Sequence, residues 1–244
     1  MKNIIFKNKI NLSNYTTIKV GGIAEYFAEP NNINDLLKLV KWSQLNNKEC
    51  RIIGAGSNLL INNIFLKGLT ICTKKLRSIS IDPLSGIIEV DCGMMLPTLS
   101  NLLAKNGLQG GEWAVGIPGT VGGAIYMNAG SGNLSLANNL LSVQVIDSKT
   151  LKLYEIQKKD LQFKYRFSPF QKNNLIIINS KLQFEPKGNI EKLLERTKNN
   201  LKIKTETQPY HLPSFGSIFK NPEKHYAAEL IDELGLKGLK IGDA

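Results

Sequence analysis

Apolar residues in this chain fall into short runs punctuated by glycine, proline and asparagine, and the runs alternate between two periods. Leu36, Leu37, Leu39, Val40 and Leu45 recur at helical spacing. They predict a helix that Asn32 or Asn34 can cap, with Asp35 favourably placed in its first turn. Strand-like runs surround it: AEYFAEP closed by Pro30, Arg51 to Ile53, LTICT, and IIEVDCG after the turn signal PLSG. TTIKVGG, after a polar start, reads as a further short strand ending in a glycine turn. A second helix is predicted from Pro97 to Asn106, stopped by Gly107.

Further on, SVQVIDSKT and LKLYEIQ make a hairpin, and LIIINSKLQFEP makes a buried strand ended by Pro186. The best linker is PKGN at 186 to 189, ahead of a Lys- and Glu-rich helix from Ile190 to about Ile203. A last helix is predicted near Glu223 to Leu234, capped by Gly235.

With 244 residues and 42% hydrophobic content, the chain can bury a sizeable core as one large domain or two smaller ones. Cys50, Cys72 and Cys92 are odd in number, with no CxxC pair and no histidine cluster, which points to a reducing compartment and no metal site. The N-terminal stretch MKNIIFKNKINLSNY lacks the continuous apolar core of a secretory signal. Apolar stretches elsewhere are strand-sized, such as Leu175 to Ile178, so the expectation is a soluble cytoplasmic protein. A net charge of +11 raises the question of an anionic partner. Lysines are scattered from Lys2 to Lys240 with no basic run interleaved with aromatics, which argues against nucleic acid or membrane. A basic surface, or a groove for an anionic substrate, is expected instead.

Two glycine loops stand out. GAGSNLL at 54 to 60 departs from the dinucleotide fingerprint: the third glycine is missing and no helical pattern comes after it. A P-loop is excluded because no GK[ST] occurs. What remains is either a tight turn or a nest of backbone N–H groups, supplemented by Ser57 and Asn58, that holds an anion. Residues Gly107 to Gly132 contain nine glycines in 26 positions. Within them GIPGTVGGAIYMNAG suggests a backbone pressed flat against a planar ligand or against the first loop.

Two polar residues sit among aromatics. In KYRFSPF, Arg166 offers a fork that matches a carboxylate, and it could equally serve a surface ion pair or a cation-π contact. In PSFGSIFKNP, Ser217 comes directly after Gly216, where a turn or capping hydroxyl and a reacting one are both open readings.

The segments TTIKVGG, GAGSNLL and GIPGTVGGAIYMNAG, in that order and spacing, with YRFS and GSIFKNP after them, resemble the UDP-N-acetylenolpyruvoylglucosamine reductase family. The resemblance implies an α+β fold. It places an FAD-binding domain of the para-cresol methylhydroxylase (PCMH) type over residues 1–186, in two α/β subdomains split near 65–70. An incomplete α/β substrate-binding domain would succeed it over 187–244. FAD would be bound non-covalently; both histidines, His211 and His225, lie outside the cofactor half, so attachment through histidine is not expected.

By the same likeness Val20, Gly21, Gly22, Gly54, Ala55, Gly56, Ser57, Asn58 and Leu59 would contact the adenine and pyrophosphate side. Gly116, Ile117, Pro118, Gly119, Gly122, Gly123 and Ala124 would line the flavin. Arg166 would be the catalytic arginine and Ser217 the proton donor, with Lys220 and Asn221 on the substrate. NADPH would be the hydride donor and a nucleotide sugar the small-molecule substrate, in a ping-pong cycle giving UDP-N-acetylmuramate, with the protein a monomer.

The family pattern continues to a glutamate near its C-terminus, which this sequence, ending at Ala244, does not contain. The face formed by Ala227, Leu230, Ile231 and Leu234 has too few strands after it to cover it. The expectation is an incomplete last domain that binds FAD with weak or absent turnover. Other readings are a different flavin oxidase of the same fold, acting on an alcohol or sugar, and a non-enzymatic remnant.

Overall fold

The computed structural model describes residues 5–242. Met1 to Ile4 of the N-terminal stretch, and Asp243 and Ala244 at the other end, lie outside the described residues. The first body consists of β1 (Lys7–Asn11), β2 (Ile23–Ala28), α1 (Ile33–Leu45), β3 (Cys50–Ile53) and β4 (Phe65–Cys72). Its sheet runs β1-β2-β4-β3, with β1 antiparallel to β2 and both β2 and β3 parallel to β4. The parallel pair β2 and β4 is separated in sequence by α1 and β3, as a crossover connection requires.

The N-terminal strand is KNKIN rather than TTIKVGG. The apparent alternation of Thr, Ile, Lys and Val is overridden by a turn in which the Thr16 hydroxyl donates to the Val20 carbonyl at 2.8 Å and Lys19 takes φ +62°. The true strand is polar because it is an edge, with only Ile10 turned toward the packed side.

Helix α1 starts at Asn32, whose side chain accepts from the Asp35 N–H at 2.9 Å and donates to the Asp35 carboxylate at 3.0 Å. Leu36, Leu39 and Val40 are buried on the sheet, while Leu45 leaves the stripe and is 65% exposed. The sheet's other face is closed by Leu12, Phe27, Ile53 and Cys72, with the Tyr15 and Phe27 rings 4.3 Å apart. The first body is therefore a two-sided layer, and its helix side merges into the main core.

The second body contains β5 (Ile79–Ile81), β6 (Ile87–Asp91), α2 (Leu96–Lys105), α3 (Val121–Met127), β7 (Gly130–Ser131), β8 (Leu134–Ser135), α4 (Leu136–Asn139), β9 (Leu140–Asp147), β10 (Leu153–Gln157) and β11 (Leu175–Gln183). Its five-stranded sheet is antiparallel throughout, in the order β10-β9-β11-β6-β5. The apolar run of β11 is explained by its central place, since Ile176, Ile177 and Ile178 are all buried. Helix α2 contributes Leu96, Leu99 and Leu103 to the same core.

Two expected boundaries move. A split at 65–70 would cut β4, which belongs whole to the first sheet, so the division between subdomains falls after Cys72. The change at 186–189 separates sheet from helix without opening a new body. Helix α5 (Ile190–Thr207) buries Leu193 and Thr197 and packs on α2 and on the short 3-10 segment Glu112–Gly116. It also runs four residues beyond Ile203.

The final helix, α6 (Ala227–Glu233), begins later than Glu223 and ends at Gly235 with φ +66°. Leu230 and Ile231 are half-buried and Leu234 is exposed. Among the described residues no strand occurs after Gln183, and no helix is long and apolar enough to cross a membrane. One mixed and one antiparallel sheet, with helices segregated around them, make the fold α+β.

Candidate functional site

Three glycine-bearing segments meet at one end of the first body. The turn after Tyr15 touches the first loop where the Thr17 N–H donates to the Gly56 carbonyl at 3.2 Å. The first loop touches the second where the Ser57 hydroxyl donates to the Pro118 carbonyl at 2.9 Å. A β-carbon on Gly54 would lie 2.5 Å from Oγ1 of Thr120, so these loops pack backbone to side chain without a gap. The N–H groups from Ala55 to Asn58 have no acceptor among the described residues, in a loop that leaves Leu59 and Leu60 on the surface.

Most of the glycines are small because protein lies against them. A β-carbon on Gly22 would sit 2.0 Å from the Ile64 carbonyl oxygen, and one on Gly56, at φ +67°, 2.0 Å from that of Tyr15. Gly21 faces Leu12, Gly122 faces Cys92, and Gly116 is covered by Lys204 of α5. The second loop is pressed against the first and against its surroundings. Gly123 has more room, a β-carbon there meeting nothing nearer than Thr120 Oγ1 at 3.4 Å, whereas one on Gly119, at φ +141°, would crowd the Ser57 hydroxyl at 3.1 Å. Gly122, Gly123 and Ala124 are not loop at all, because Thr120 caps α3 through the Gly123 N–H at 3.3 Å and starts the helix there.

Helix α3 leads from this junction to Arg166. Its last residues, Tyr126 and Met127, precede Asn128, which lies in the left-handed region at φ +44°. The turn Lys164 to Phe167 rests on that end: Asn128 Nδ2 donates to the Lys164 carbonyl at 2.9 Å. Arg166 itself takes φ +52°, half-buried, with its guanidinium 5.3 Å from the Tyr165 ring centroid and Nη2 donating to the Gly130 carbonyl at 3.3 Å. No carboxylate partners it among the described residues, which leaves the rest of its fork available for an anion.

The loop carrying Ser217, Lys220 and Asn221 lies on the surface. One hydrogen bond brings it to the arginine turn: the Asn221 N–H donates to the Tyr165 hydroxyl at 3.4 Å. Asn221 also orders the start of α6, its side chain accepting from the Ala227 N–H at 3.1 Å. The return path from α5 is fixed by Tyr210, whose hydroxyl donates to the Gly116 carbonyl at 2.6 Å and whose pKa is raised by burial. Val20, 44% exposed, stands on the rim of the first turn.

Thr120, Asn128, Tyr165, Ser168, Gln171 and Tyr210 all hold this region together, and although the first four lie within the quoted motifs, the sequence assigns a role to none of them. Their only signal in it is adjacency to the glycine loop, to YR or to the end of α5. The cysteines serve as packing groups, Cys92 against Gly122 and Cys72 with its thiol donating to the Gly54 carbonyl at 3.6 Å; burial pushes the Cys92 thiol up to about 12 and the Cys50 thiol up to about 11. Among the described residues no group of three His, Cys, Asp or Glu side chains could hold a metal ion.

Unpaired N–H groups in one loop and the small residues Gly119 and Gly123 in the adjoining segment fit a diphosphate joined to a flat ring system. Comparison with known proteins agrees with that shape. The profile of the FAD binding domain family matches residues 24–151, and that of the UDP-N-acetylenolpyruvoylglucosamine reductase C-terminal domain matches residues 208–244. A UDP-N-acetylenolpyruvoylglucosamine reductase of Prochlorococcus marinus subsp. pastoris is 75% identical over the whole chain, which spans 82% of that relative. Another, from Prochlorococcus marinus strain MIT 9313, is 46% identical over 96% of this chain and 76% of its own length.

Among solved structures, the UDP-N-acetylenolpyruvylglucosamine reductase of Thermus caldophilus superposes with a TM-score of 0.80 at 32% identity, over 98% of this chain and 84% of that one. A glucose dehydrogenase variant of Phl p 4 shares the fold alone, with a TM-score of 0.52 at 17% identity over 73% of this chain and 38% of that one.

Proposed function

This chain belongs to the UDP-N-acetylenolpyruvoylglucosamine reductase family, and on that premise we propose that it reduces the enolpyruvyl group of UDP-N-acetylglucosamine enolpyruvate to UDP-N-acetylmuramate, a peptidoglycan precursor, with NADPH as hydride donor. FAD, held non-covalently, is the cofactor. The N–H groups of Ala55 to Asn58 take its diphosphate, in a loop that the Ser57 hydroxyl holds to the Pro118 carbonyl. Gly119 and Gly123 line its ring system without side chains, and Val20 to Gly22 close the adenine side. When bound, the flavin supplies hydride transfer between NADPH and the enolpyruvyl double bond.

The observation that carries this reading is the hydrogen bond from the Asn221 N–H to the Tyr165 hydroxyl, because it gathers the arginine turn and the serine loop at one place. Arg166, with no carboxylate partner among the described residues, binds the enolpyruvyl carboxylate and steadies the enolate-like charge that grows there. Ser217 gives a proton to the carbon beside the one that takes hydride. A hydroxyl is a weak acid, so this works only where the receiving centre is carbanion-like and cations stabilise the alkoxide left behind. Lys220, three residues away, supplies such a cation, and Asn221 holds the substrate diphosphate. The net charge of +11 suits a doubly anionic nucleotide sugar. We place the enzyme in the cytoplasm as a monomer acting on a small molecule.

The test is anaerobic spectroscopy. NADPH is expected to bleach the visible flavin band, and addition of the enolpyruvyl nucleotide sugar to restore it. A band that stays bleached on addition of the nucleotide sugar rules out the reductase reading. Bleaching by an alcohol or a sugar with no NADPH present replaces it with an oxidase of the same fold.

A further inference from the structure

Helix ends leave carbonyls without intrahelical partners, and α3 disposes of one of its own in an informative way. The Tyr126 carbonyl accepts from the Ser168 hydroxyl at 2.6 Å and from Gln171 Nε2 at 2.9 Å. Both donors lie just beyond Arg166 in sequence, more than 40 positions from the helix they satisfy. Gln171 Nε2 also reaches the carbonyl of Arg166 itself at 3.2 Å, so one amide spans the helix end and the arginine backbone. Ser168 is fully buried, and Phe170 behind it is part of the main core.

Arg166 needs this support. Its backbone sits at φ +52°, a conformation strained for a non-glycine residue that persists only where its surroundings impose it. The opposite end of α3 begins at Thr120, against Gly54 of the first loop. Seven residues of helix, about 10 Å long, thus join the cofactor loops to the arginine turn as one rigid spacer.

We propose that Ser168 and Gln171 are positioning residues that set Arg166 at a fixed place relative to the cofactor loops by clamping its turn to the end of α3. The inference rests on the reading of Arg166 as the carboxylate-binding group. It assigns the pair an effect on one part of the substrate only. Loss of either donor loosens the Arg166 turn, while the glycine loops and the Asn221 contact with Ala227 on the serine loop remain.

The experiment is calorimetric titration of the FAD-loaded, oxidised protein with two ligands: the enolpyruvyl nucleotide sugar, and UDP-N-acetylglucosamine, which lacks the carboxylate. Wild type, Ser168→Ala and Gln171→Leu are compared, with thermal melting and the flavin spectrum recorded for each. Two variants are used because Ser168 is the more deeply buried and the more exposed to a folding defect. Expected is a loss of about tenfold for the carboxylate-bearing ligand in each variant, the scale of one charged hydrogen bond, with affinity for UDP-N-acetylglucosamine unchanged. In an Arg166→Lys background the second substitution adds little further loss.

Equal weakening of both ligands, or no weakening in either variant, overturns the positioning role while leaving the reductase reading intact. A wild-type protein that binds neither ligand removes that reading, and the inference with it.

Discussion

The Ser57 hydroxyl donates to the Pro118 carbonyl across 61 positions of sequence, and this bond of 2.9 Å ties the two glycine loops to each other. Ser57→Ala therefore loosens the junction without adding bulk. A net loss of about 1 kcal/mol is expected, the ordinary worth of such a bond, which weakens FAD retention by roughly fivefold. Equilibrium dialysis of the apoprotein against FAD measures it, and unchanged retention would show that the loops are held by packing alone.

Gly56 and Gly132 both occupy the left-handed region, at φ +67° and φ +59°, but only Gly56 has an obstacle, the Tyr15 carbonyl oxygen 2.0 Å from where a β-carbon would stand. Gly132→Ala carries conformational strain alone, about 1 kcal/mol. Gly56→Ala must also displace backbone, so its loss is expected to exceed that of Gly132→Ala by at least about 2 kcal/mol. Urea midpoints of the two variants give the comparison, and equal midpoints would contradict it.

Ser217→Ala leaves the cofactor loops untouched, since Ser217 lies on the exposed loop near Tyr165. Flavin content and bleaching by NADPH are expected to match wild type. Recovery of the band with the enolpyruvyl nucleotide sugar should slow by about 10²–10⁴-fold, the usual contribution of a positioned proton donor. Stopped-flow absorbance separates the two phases. Recovery at the wild-type rate refutes the proton-donor role.

Alkaline stability depends on Cys92. Burial raises its thiol from 9.0 to about 12, so the folded state keeps a proton that the unfolded chain releases above pH 9. Its contribution to stability is complete below pH 9 and declines as the pH climbs toward about 12. At about 1.4 kcal/mol per unit, the stability gap between wild type and Cys92→Ala should close by about 2 kcal/mol between pH 8 and pH 10.5. Urea melts at the two pH values check this, and parallel behaviour of the two proteins would count against it.

The sequence displayed the fold wherever one local signal decided the outcome. Asn32 with Asp35 marked the start of α1, Gly107 the end of α2, and the run around Ile177 the central strand. It misled where a tertiary contact outweighed periodicity. TTIKVGG alternates like a strand, yet Thr16 and Lys19 fold it into a turn, and the polar KNKIN forms the edge strand instead. PKGN resembles a linker, but Leu193 carries the next helix back onto α2.

At the candidate site the sequence brought out the glycine loops without their physical reason. Glycine content alone cannot distinguish close approach to a ligand from close approach to the chain's own carbonyls, and at Gly22 and Gly56 the second applies. Ser168 closes the YRFS segment and Gln171 follows it, yet neither role was legible, because their partner, the Tyr126 carbonyl, is a backbone atom and leaves no signature in residue type. That Arg166 and Asn221 lie on neighbouring loops depends on Tyr165, which reads in sequence as one more aromatic.

The placement of β11 bears on how the protein is made. Its strand is the last of the second sheet to be synthesised, yet it occupies the middle, between β9 and β6. Until Gln183 has emerged from the ribosome, the growing chain holds two separate hairpins, β5 with β6 and β9 with β10, each exposing an apolar edge strand. The Arg166 turn, only nine residues ahead of that strand, can dock on α3 before the sheet beneath it has closed. Synthesis paused between Asp147 and Leu175 would thus present chaperones with an aggregation-prone half-sheet, and the interval needed to translate about 30 codons sets how long that exposure lasts.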